Sequence, residues 1–143
     1  MSIDDVGLDS EAQALQKRAK SLTVGRIVLG VVAFVVPDAV FRLFGFGRDR
    51  LSASQRYALR LYAVREFALG VHLWREASLG TPTPTTAMMN TAVDGVDAVL
   101  SLATAVAFPE LRRGALTVAA FAGFVTSQWV LFTRRVVRHE ART

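Results

Sequence analysis

Residues 60–75 read RLYAVREFALGVHLWR, an apolar segment that carries two adjacent charged residues, Arg65 and Glu66, near its centre. Three other segments are similarly apolar, and most of the remaining charged residues crowd the chain ends and the connections. Apolar segments of about 20 residues separated by charged connections are typical of helices that cross a lipid bilayer. A charged residue inside such a helix is costly unless it is paired, so Arg65 and Glu66 mark a candidate functional site.

The composition of the 143-residue chain agrees with this pattern, since 52% of the residues are hydrophobic although 20% are charged. The mean hydropathy of +0.34 is high for a soluble protein with so many charges. We therefore predict an all-α, polytopic membrane protein, with a bundle of four transmembrane helices and a short N-terminal amphipathic helix. The alternative is a soluble helical bundle whose apolar helices are buried.

The distribution of apolar and polar residues divides the chain into three parts. Residues 1–21 form an N-terminal amphipathic or juxtamembrane segment, residues 22–133 form the transmembrane domain, and residues 134–143 form a basic C-terminal tail. Within the domain, the four predicted spans cover about 22–43, 56–77, 86–108 and 113–133.

Helix breakers and caps mark the ends of the predicted helices. Pro37 interrupts the first span, and Gly45 and Gly47 end a short interfacial helix that follows it. Ser and Thr side chains commonly accept hydrogen bonds from the first free backbone N–H groups of a helix. The candidate caps of the second and third spans are Ser52 or Ser54, and Thr85 or Thr86.

Four spans place both chain termini on the same side of the membrane. Lys and Arg are more numerous on that side, and the positive-inside rule then places both termini in the cytoplasm. We predict a multi-pass protein of the cytoplasmic (inner) membrane, whose partners are the lipid bilayer and other membrane protein subunits. The net charge of +5 then reflects topology and anionic lipid headgroups, so we predict no binding to nucleic acid.

The third predicted span carries a row of polar residues on one side. Because the second and third spans are joined by a short loop, we expect them to be antiparallel neighbours. Arg65 and Asp97 lie at similar distances from that loop, hence at the same depth, which predicts an ion pair with Asp94 as a further partner of Arg65. The row consists of Asn90, Asp94, Asp97, Ser101 and Thr104.

Three acidic residues within the spans leave surplus negative charge against a single arginine. Either Arg26 reaches in from the first span or one acid is protonated, for which Glu66 or Asp94 is the better candidate. Such a network either holds the helices in register or contacts a ligand, a proton or a partner helix. The predicted network is Arg26, Arg65, Glu66, Asp94 and Asp97, and the candidate pocket-lining residues are Tyr62, His72, Asn90 and Ser101.

Several kinds of site have no counterpart in the sequence. The chain has no cysteine and two histidines, so disulfides and thiolate chemistry are excluded and we predict no metal site. It has no Gly-rich phosphate loop and no nucleophile elbow, and we assign no catalytic residue and no cofactor.

The order of features along residues of about 20–105 matches a known pattern of small membrane proteins. The matching features are Arg26, Pro37, RLFGFG at 42–47, RLYAVREFALG at 60–70, Asp94 and Asp97. This order resembles the DoxX-like group of small four-helix membrane proteins. The resemblance implies a four-span bundle and an accessory role beside redox or envelope enzymes, and it transfers no catalytic motif.

These features support three hypotheses for the function. The first is a non-enzymatic accessory or stabilising subunit of a larger membrane complex, in lipid or solute transport or in respiration. The second is a small membrane enzyme or lipid-binding protein, in which Glu66, Asp94 and Asp97 act on an isoprenoid or acyl substrate as general acids and bases. The third is a proton-coupled transporter, which the absence of broken-helix repeats disfavours.

Overall fold

The computed structural model describes residues 3–47 and 50–142, with side chains from residue 10 onward. The described residues form five α-helices and one short 3-10 turn, which confirms the all-α prediction. The helices are α1 (Ile3–Val35), α2 (Pro37–Leu43), α3 (Ala53–Leu79), α4 (Pro84–Ala107) and α5 (Arg112–Glu140), with the 3-10 turn at Pro109–Leu111.

The first helix is continuous with the predicted N-terminal helix, and the last helix is longer than the sequence pattern indicated. α1 runs without interruption through the predicted amphipathic segment and into the first span, because Leu15, Ala19 and Leu22 keep one helical face without an intervening proline. α5 continues to Glu140, so most of the predicted tail is helical. Val136 and His139 are buried there because they extend the inward face of the helix.

The chain turns sharply between α1 and α2. The two helices meet at 116°, and Pro37 occupies the first turn of α2, where its missing N–H costs no helical hydrogen bond. Gly45 and Gly47 follow α2 with positive φ values of 83° and 124°, a conformation that favours glycine. The short helix predicted after Pro37 and ended by these two glycines is therefore confirmed.

The structure agrees with the predicted N-cap of α3 but not with that of α4. Ser52 caps α3 in a capping box with Gln55, as one of the two predicted alternatives. For α4 the prediction of Thr85 or Thr86 is wrong, because the hydroxyl of Thr83 accepts the hydrogen bond from the backbone N–H of Thr86. Thr83 takes this role because Pro84 fits the first helical position.

The helices pack as two close antiparallel pairs, α1 with α3 and α4 with α5. Gly30 and Gly70 permit the first pair to approach closely, since a Cβ on Gly30 would lie 2.8 Å from backbone atoms of α3. The prediction that α3 and α4 are close neighbours needs correction. These helices meet mainly through long side chains, because the backbones pack instead against α1 and α5.

Buried apolar side chains form two clusters at different heights of the bundle. The terminal cluster lies near the chain ends and contains most of the large buried side chains, and the distal cluster lies near α2. The terminal cluster is Leu15, Ala19, Leu73, Ala77, Ala87, Trp129, Phe132 and Val136. The distal cluster is Ala33, Val40 and Ala63.

One helical segment, Pro109–Glu140, is long and apolar enough to cross a membrane. The bent pair Ser10–Val35 and Pro37–Leu43 provides a second if the two helices act as one span. The described part of the chain thus contains one or two helices with the length and composition of a membrane span.

Candidate functional site

Five charged side chains from three helices meet in the interior of the bundle. From α1, the Arg26 guanidinium donates through Nη1 to Glu66 Oε2 and through Nη2 to Asp94 Oδ2, both at 2.5 Å. From α3, Arg65 donates to Asp97 Oδ1 and Oδ2 at 3.2 and 2.5 Å and to Glu66 Oε1 at 3.1 Å. The five residues form one continuous chain of ion pairs, which we call the charge network.

The charge network is most deeply buried at Arg26, Glu66 and Asp94, whose exposed fractions are 5%, 2% and 6%. Arg65 is more accessible, with 39% of its side chain exposed. Glu66 occupies the centre because each of its two oxygens accepts from a different arginine. The network therefore joins α1, α3 and α4 and runs from a buried end at Asp94 to a more open end at Arg65 and its partner Asp97.

Aromatic rings support both arginines. The Arg26 guanidinium lies 5.5 Å from the Trp129 ring centroid, and that of Arg65 lies 4.8 Å from the ring of Tyr62. Both distances permit cation–π attraction, which is stronger where water is excluded. Trp129 is fully buried in α5, so α5 contributes to the network through this ring.

The structure brings the five predicted network residues together, but Asp94 pairs with a different arginine from the one predicted. Arg65 pairs with Asp97, as the equal distances from the loop indicated. Asp94 pairs with Arg26 and not with Arg65, which corrects the prediction of Asp94 as a further partner of Arg65. The reason is that α1 packs against α3 and directs Arg26 to the gap between α3 and α4.

The two arginines satisfy nearly all of the acidic oxygens. Five of the six carboxylate oxygens of Glu66, Asp94 and Asp97 accept hydrogen bonds from Arg26 or Arg65. The sixth, Asp94 Oδ1, accepts none from the described residues. The acidic oxygens also lie within 4.8 Å of one another, a spacing compatible with a metal ion. Because arginines already hold five of them, the arrangement favours ion pairing over metal binding.

A cavity of about 450 Å³ lies beside the charge network, between the two helix pairs. Arg26, Glu66, Asp94 and Asp97 form its charged wall. Its other walls are mostly apolar, with aromatic rings at the end near α2. These rings belong to Phe41, Phe44, Phe46 and Phe121. The cavity combines a small charged region with a larger apolar one, as small-molecule sites commonly do.

The four candidate pocket residues separate into two groups. Tyr62 and Ser101 line the cavity. His72 is exposed, with its Nε2 3.6 Å from Glu76, because it lies six residues, roughly one and two-thirds turns, beyond Glu66. Asn90 is buried and donates to the Thr86 carbonyl, one turn away from the cavity wall. His72 and Asn90 are therefore not lining residues.

The phenylalanines of the cavity were missed in the sequence analysis. Phe44 and Phe46 belong to RLFGFG at 42–47 and Phe41 directly precedes it, and this stretch indicated only an interfacial helix. Phe41 and Phe46 stack at 4.8 Å, and Gly114 on α5 makes room for the Phe46 ring. The alternation of phenylalanine and glycine in FGFG at 44–47 was the available signal, but a local pattern does not reveal what the rings face.

A separate ion pair ties α2 to the start of α3, outside the long helices. Arg56 donates to both carboxylate oxygens of Asp38 at 3.1 and 3.3 Å, and the backbone N–H of Leu51 donates to the same carboxylate. The hydrogen bonds from Arg56 and then from Leu51 lower the pKa of Asp38 below its ordinary value of 3.8. Asp38 therefore fixes the position of α2 at the aromatic end of the cavity.

Comparisons of the chain with protein-family models, curated proteins and solved structures gave no significant match.

Proposed function

We propose that the protein is a four-span integral membrane protein, with α1, α3, α4 and α5 as spans, that binds a lipophilic small molecule in its internal cavity. The observation that carries the proposal is a charged cavity wall inside a bundle whose outer surface is apolar. Four apolar segments contain no Asp, Glu, Lys or Arg other than the five residues of the charge network. The segments are residues 22–36, 61–74, 84–109 and 114–133.

The outer surface supports placement in a bilayer. Large apolar side chains are exposed along all four long helices, whereas the network charges point inward. Soluble monomers rarely expose contiguous apolar patches larger than a few hundred Å². Examples from the four helices are Val28, Val32, Val64, Phe67, Val99, Leu102, Phe124 and Leu131.

Basic and aromatic residues meet at both ends of the α1–α3 pair. Lys20 lies 5.9 Å from the Trp74 ring, and Arg60 lies 5.6 Å from the ring of Phe34. Such pairs suit the two membrane interfaces, where basic side chains reach the headgroups and aromatic rings lie at the boundary. Neither α3 nor α4 is by itself long and apolar enough to count as a membrane span. Together they carry four of the five network charges, and pairing lowers the cost of burying these charges.

The proposal extends to topology and resemblance. Four spans place both termini on one side, which we propose is the cytoplasmic side of the inner membrane. The resemblance to the DoxX-like group implies the same four-span architecture and is part of the proposal. Labelling of single cysteines tests the topology directly, because the chain has no cysteine of its own. A cysteine at Thr81 or Arg142 is expected to react from one side of the membrane, and one at Arg50 or Glu110 from the other.

Ligand binding follows from the composition of the cavity. Its volume of about 450 Å³ lies within the roughly 300–1,000 Å³ typical of small-molecule sites. Its apolar walls accept a hydrocarbon chain, and its charged wall orients one polar group. The lipid-binding hypothesis is therefore the one that the geometry supports best.

Photolabelling in lipid nanodiscs tests the binding site. A fatty alcohol that carries a diazirine is expected to label peptides containing Phe44 or Ser101. Val118 lines the cavity, so Val118→Phe should reduce that labelling by filling space. Leu116→Phe is the matched control, since Leu116 is exposed on the same helix. Labelling confined to outward residues such as Val106 and Leu131 contradicts the proposal.

A role as accessory subunit is the second candidate function, because α5 exposes a row of small residues. Ala120, Gly123 and Ser127 lie on its outer face, and a Cβ at Gly123 would meet no atom within 4 Å. Small residues four apart, such as Gly123 and Ser127, let helices approach closely in membranes. Gly123→Leu is expected to abolish co-purification of a partner in mild detergent without destabilising the bundle. Recovery of only free monomer from the wild-type membrane contradicts this candidate.

A further inference from the structure

We infer that the cavity selects a single-chain amphiphile whose head is a protonated primary amine, held by the free oxygen of Asp94. This inference rests on the proposed function, because it names the class of ligand for the same cavity. Three features carry it: the incomplete pairing of Asp94, the net charge of the network, and the shape and lining of the cavity.

Asp94 is the one acidic residue of the charge network that retains an oxygen without a donor among the described residues. Its Oδ2 accepts from Arg26 at 2.5 Å, whereas both oxygens of Glu66 and of Asp97 accept from arginine. The residue is only 6% exposed, and it lines the cavity. Because Asp94 lines the cavity, a hydrogen-bond donor held there can reach the second oxygen of its carboxylate, and such a bond is favoured in a largely apolar site.

The net charge of the network indicates the sign of the charge on the ligand. Two guanidinium groups and three carboxylates carry one net negative charge when all five groups are ionised. A monocation in the cavity neutralises the site, whereas an anion doubles the excess. The effect of this excess is large where water is excluded. The hydroxyl groups of Tyr62 and Ser101 line the same cavity and offer further acceptors for an ammonium group.

The rest of the cavity indicates a single hydrocarbon chain. Its walls away from the charge network include Leu29, Leu59 and the phenylalanines near α2. A volume of about 450 Å³ accommodates one hydrocarbon chain. Lipid tails are as apolar as these side chains, so the tail gains little by leaving the bilayer. Selection among amphiphiles therefore depends on the head group.

Three probes with the same tail separate the head groups. Dodecylamine, dodecanol and dodecanoate are titrated into the protein in phosphatidylcholine nanodiscs near neutral pH, with empty nanodiscs as background, and bound probe is counted by native mass spectrometry. We expect one dodecylammonium per chain, with an affinity about tenfold or more above that of dodecanol, the size expected of one charge-assisted hydrogen bond. Dodecanoate should bind more weakly than both.

Two variants test whether Asp94 is responsible for the selectivity for the ammonium head group. Asp94→Asn retains an oxygen for Arg26 but removes the excess charge, so dodecylammonium should fall to the affinity of dodecanol. Glu110→Gln is the control, because Glu110 is exposed, lies outside the cavity and should leave all three affinities unchanged. The selectivity of the wild-type protein tests the inference independently of whether Asp94→Asn folds.

The outcomes separate this inference from the proposed function. Equal binding of the three probes, all blocked by Val118→Phe, overturns the inference and leaves the proposed function intact. Dodecylammonium selectivity that persists in folded Asp94→Asn also overturns the inference. Absence of binding by every probe, together with no photolabelling of the cavity, overturns both.

Discussion

The two halves of the bundle, on either side of the charge network, are built differently. In the terminal half, Trp129, Phe132 and Leu73 are almost completely buried and pack tightly together. In the distal half, the buried apolar residues are small or medium in size, and the larger rings of Phe41 and Phe44 line the cavity instead. The terminal half therefore supplies packing energy, whereas the distal half is less closely packed and borders the cavity.

The largest effect is expected from breaking the charge network at the boundary of the two halves. Arg26→Gln removes the partner of Glu66 and Asp94, and unpaired buried charge typically costs about 3–5 kcal/mol. The free energy of unfolding can be measured by titration with dodecyl sulfate in mixed micelles. Arg56→Gln, which breaks the more exposed pair with Asp38, is the control and should cost about 1 kcal/mol or less. Equal losses in both variants would show that the network is solvated.

A matched pair of phenylalanines tests the difference in packing between the halves. Phe132 and Phe44 each meet an aromatic ring edge-on at 5.8 Å, Trp129 and Phe121 respectively. Phe132→Ala should cost about 3–5 kcal/mol, because Phe132 is 2% exposed. Phe44→Ala should cost much less, because its ring already borders open space. The same unfolding titration measures both, and a larger loss for Phe44→Ala would reverse the comparison.

The next largest loss of stability is expected from a substitution at the close contact between α1 and α3. Gly30→Ala places a Cβ 2.8 Å from the Ala63 carbonyl oxygen, so the helices must move apart at a cost of about 1–3 kcal/mol. Gly25→Ala on the same helix meets no atom within 4 Å and should be neutral or slightly stabilising. Thermal denaturation in detergent compares the two.

The smallest effect concerns the pH dependence contributed by Asp38 in the distal half. Because folding lowers the pKa of Asp38, its stabilisation is present above the ordinary value of 3.8 and is lost as the pH falls through the lower folded value. Asp38→Asn should therefore melt slightly below wild type at neutral pH, and the difference should vanish in acid. A difference that grows on acidification would mean that protonated Asp38 is the stabilising form.

Much of the charge network could be predicted from the sequence, because depth along a helix follows from residue number. Arg65 and Asp97 lie at similar distances from the α3–α4 loop, and their pairing follows from that equality. The cap of α4 was misplaced because Thr83, Thr85 and Thr86 all have the chemistry of a cap, and only the position of Pro84 distinguishes them. The extension of α5 to Glu140 was missed because its basic outer face hides the buried Val136 and His139.

The helical class, the approximate positions of the helices and the five charged residues within apolar segments could be read from the sequence alone. These follow from periodicity, breakers and hydropathy, which are local properties of the chain. Only the tertiary structure decided that α1 pairs with α3 and α4 with α5, that Arg26 joins Glu66 to Asp94, and that a cavity remains beside them. The physical reason is that helical periodicity defines which residues share a face, whereas the rotation and spacing of one helix against another depend on contacts such as Gly30 against Ala63.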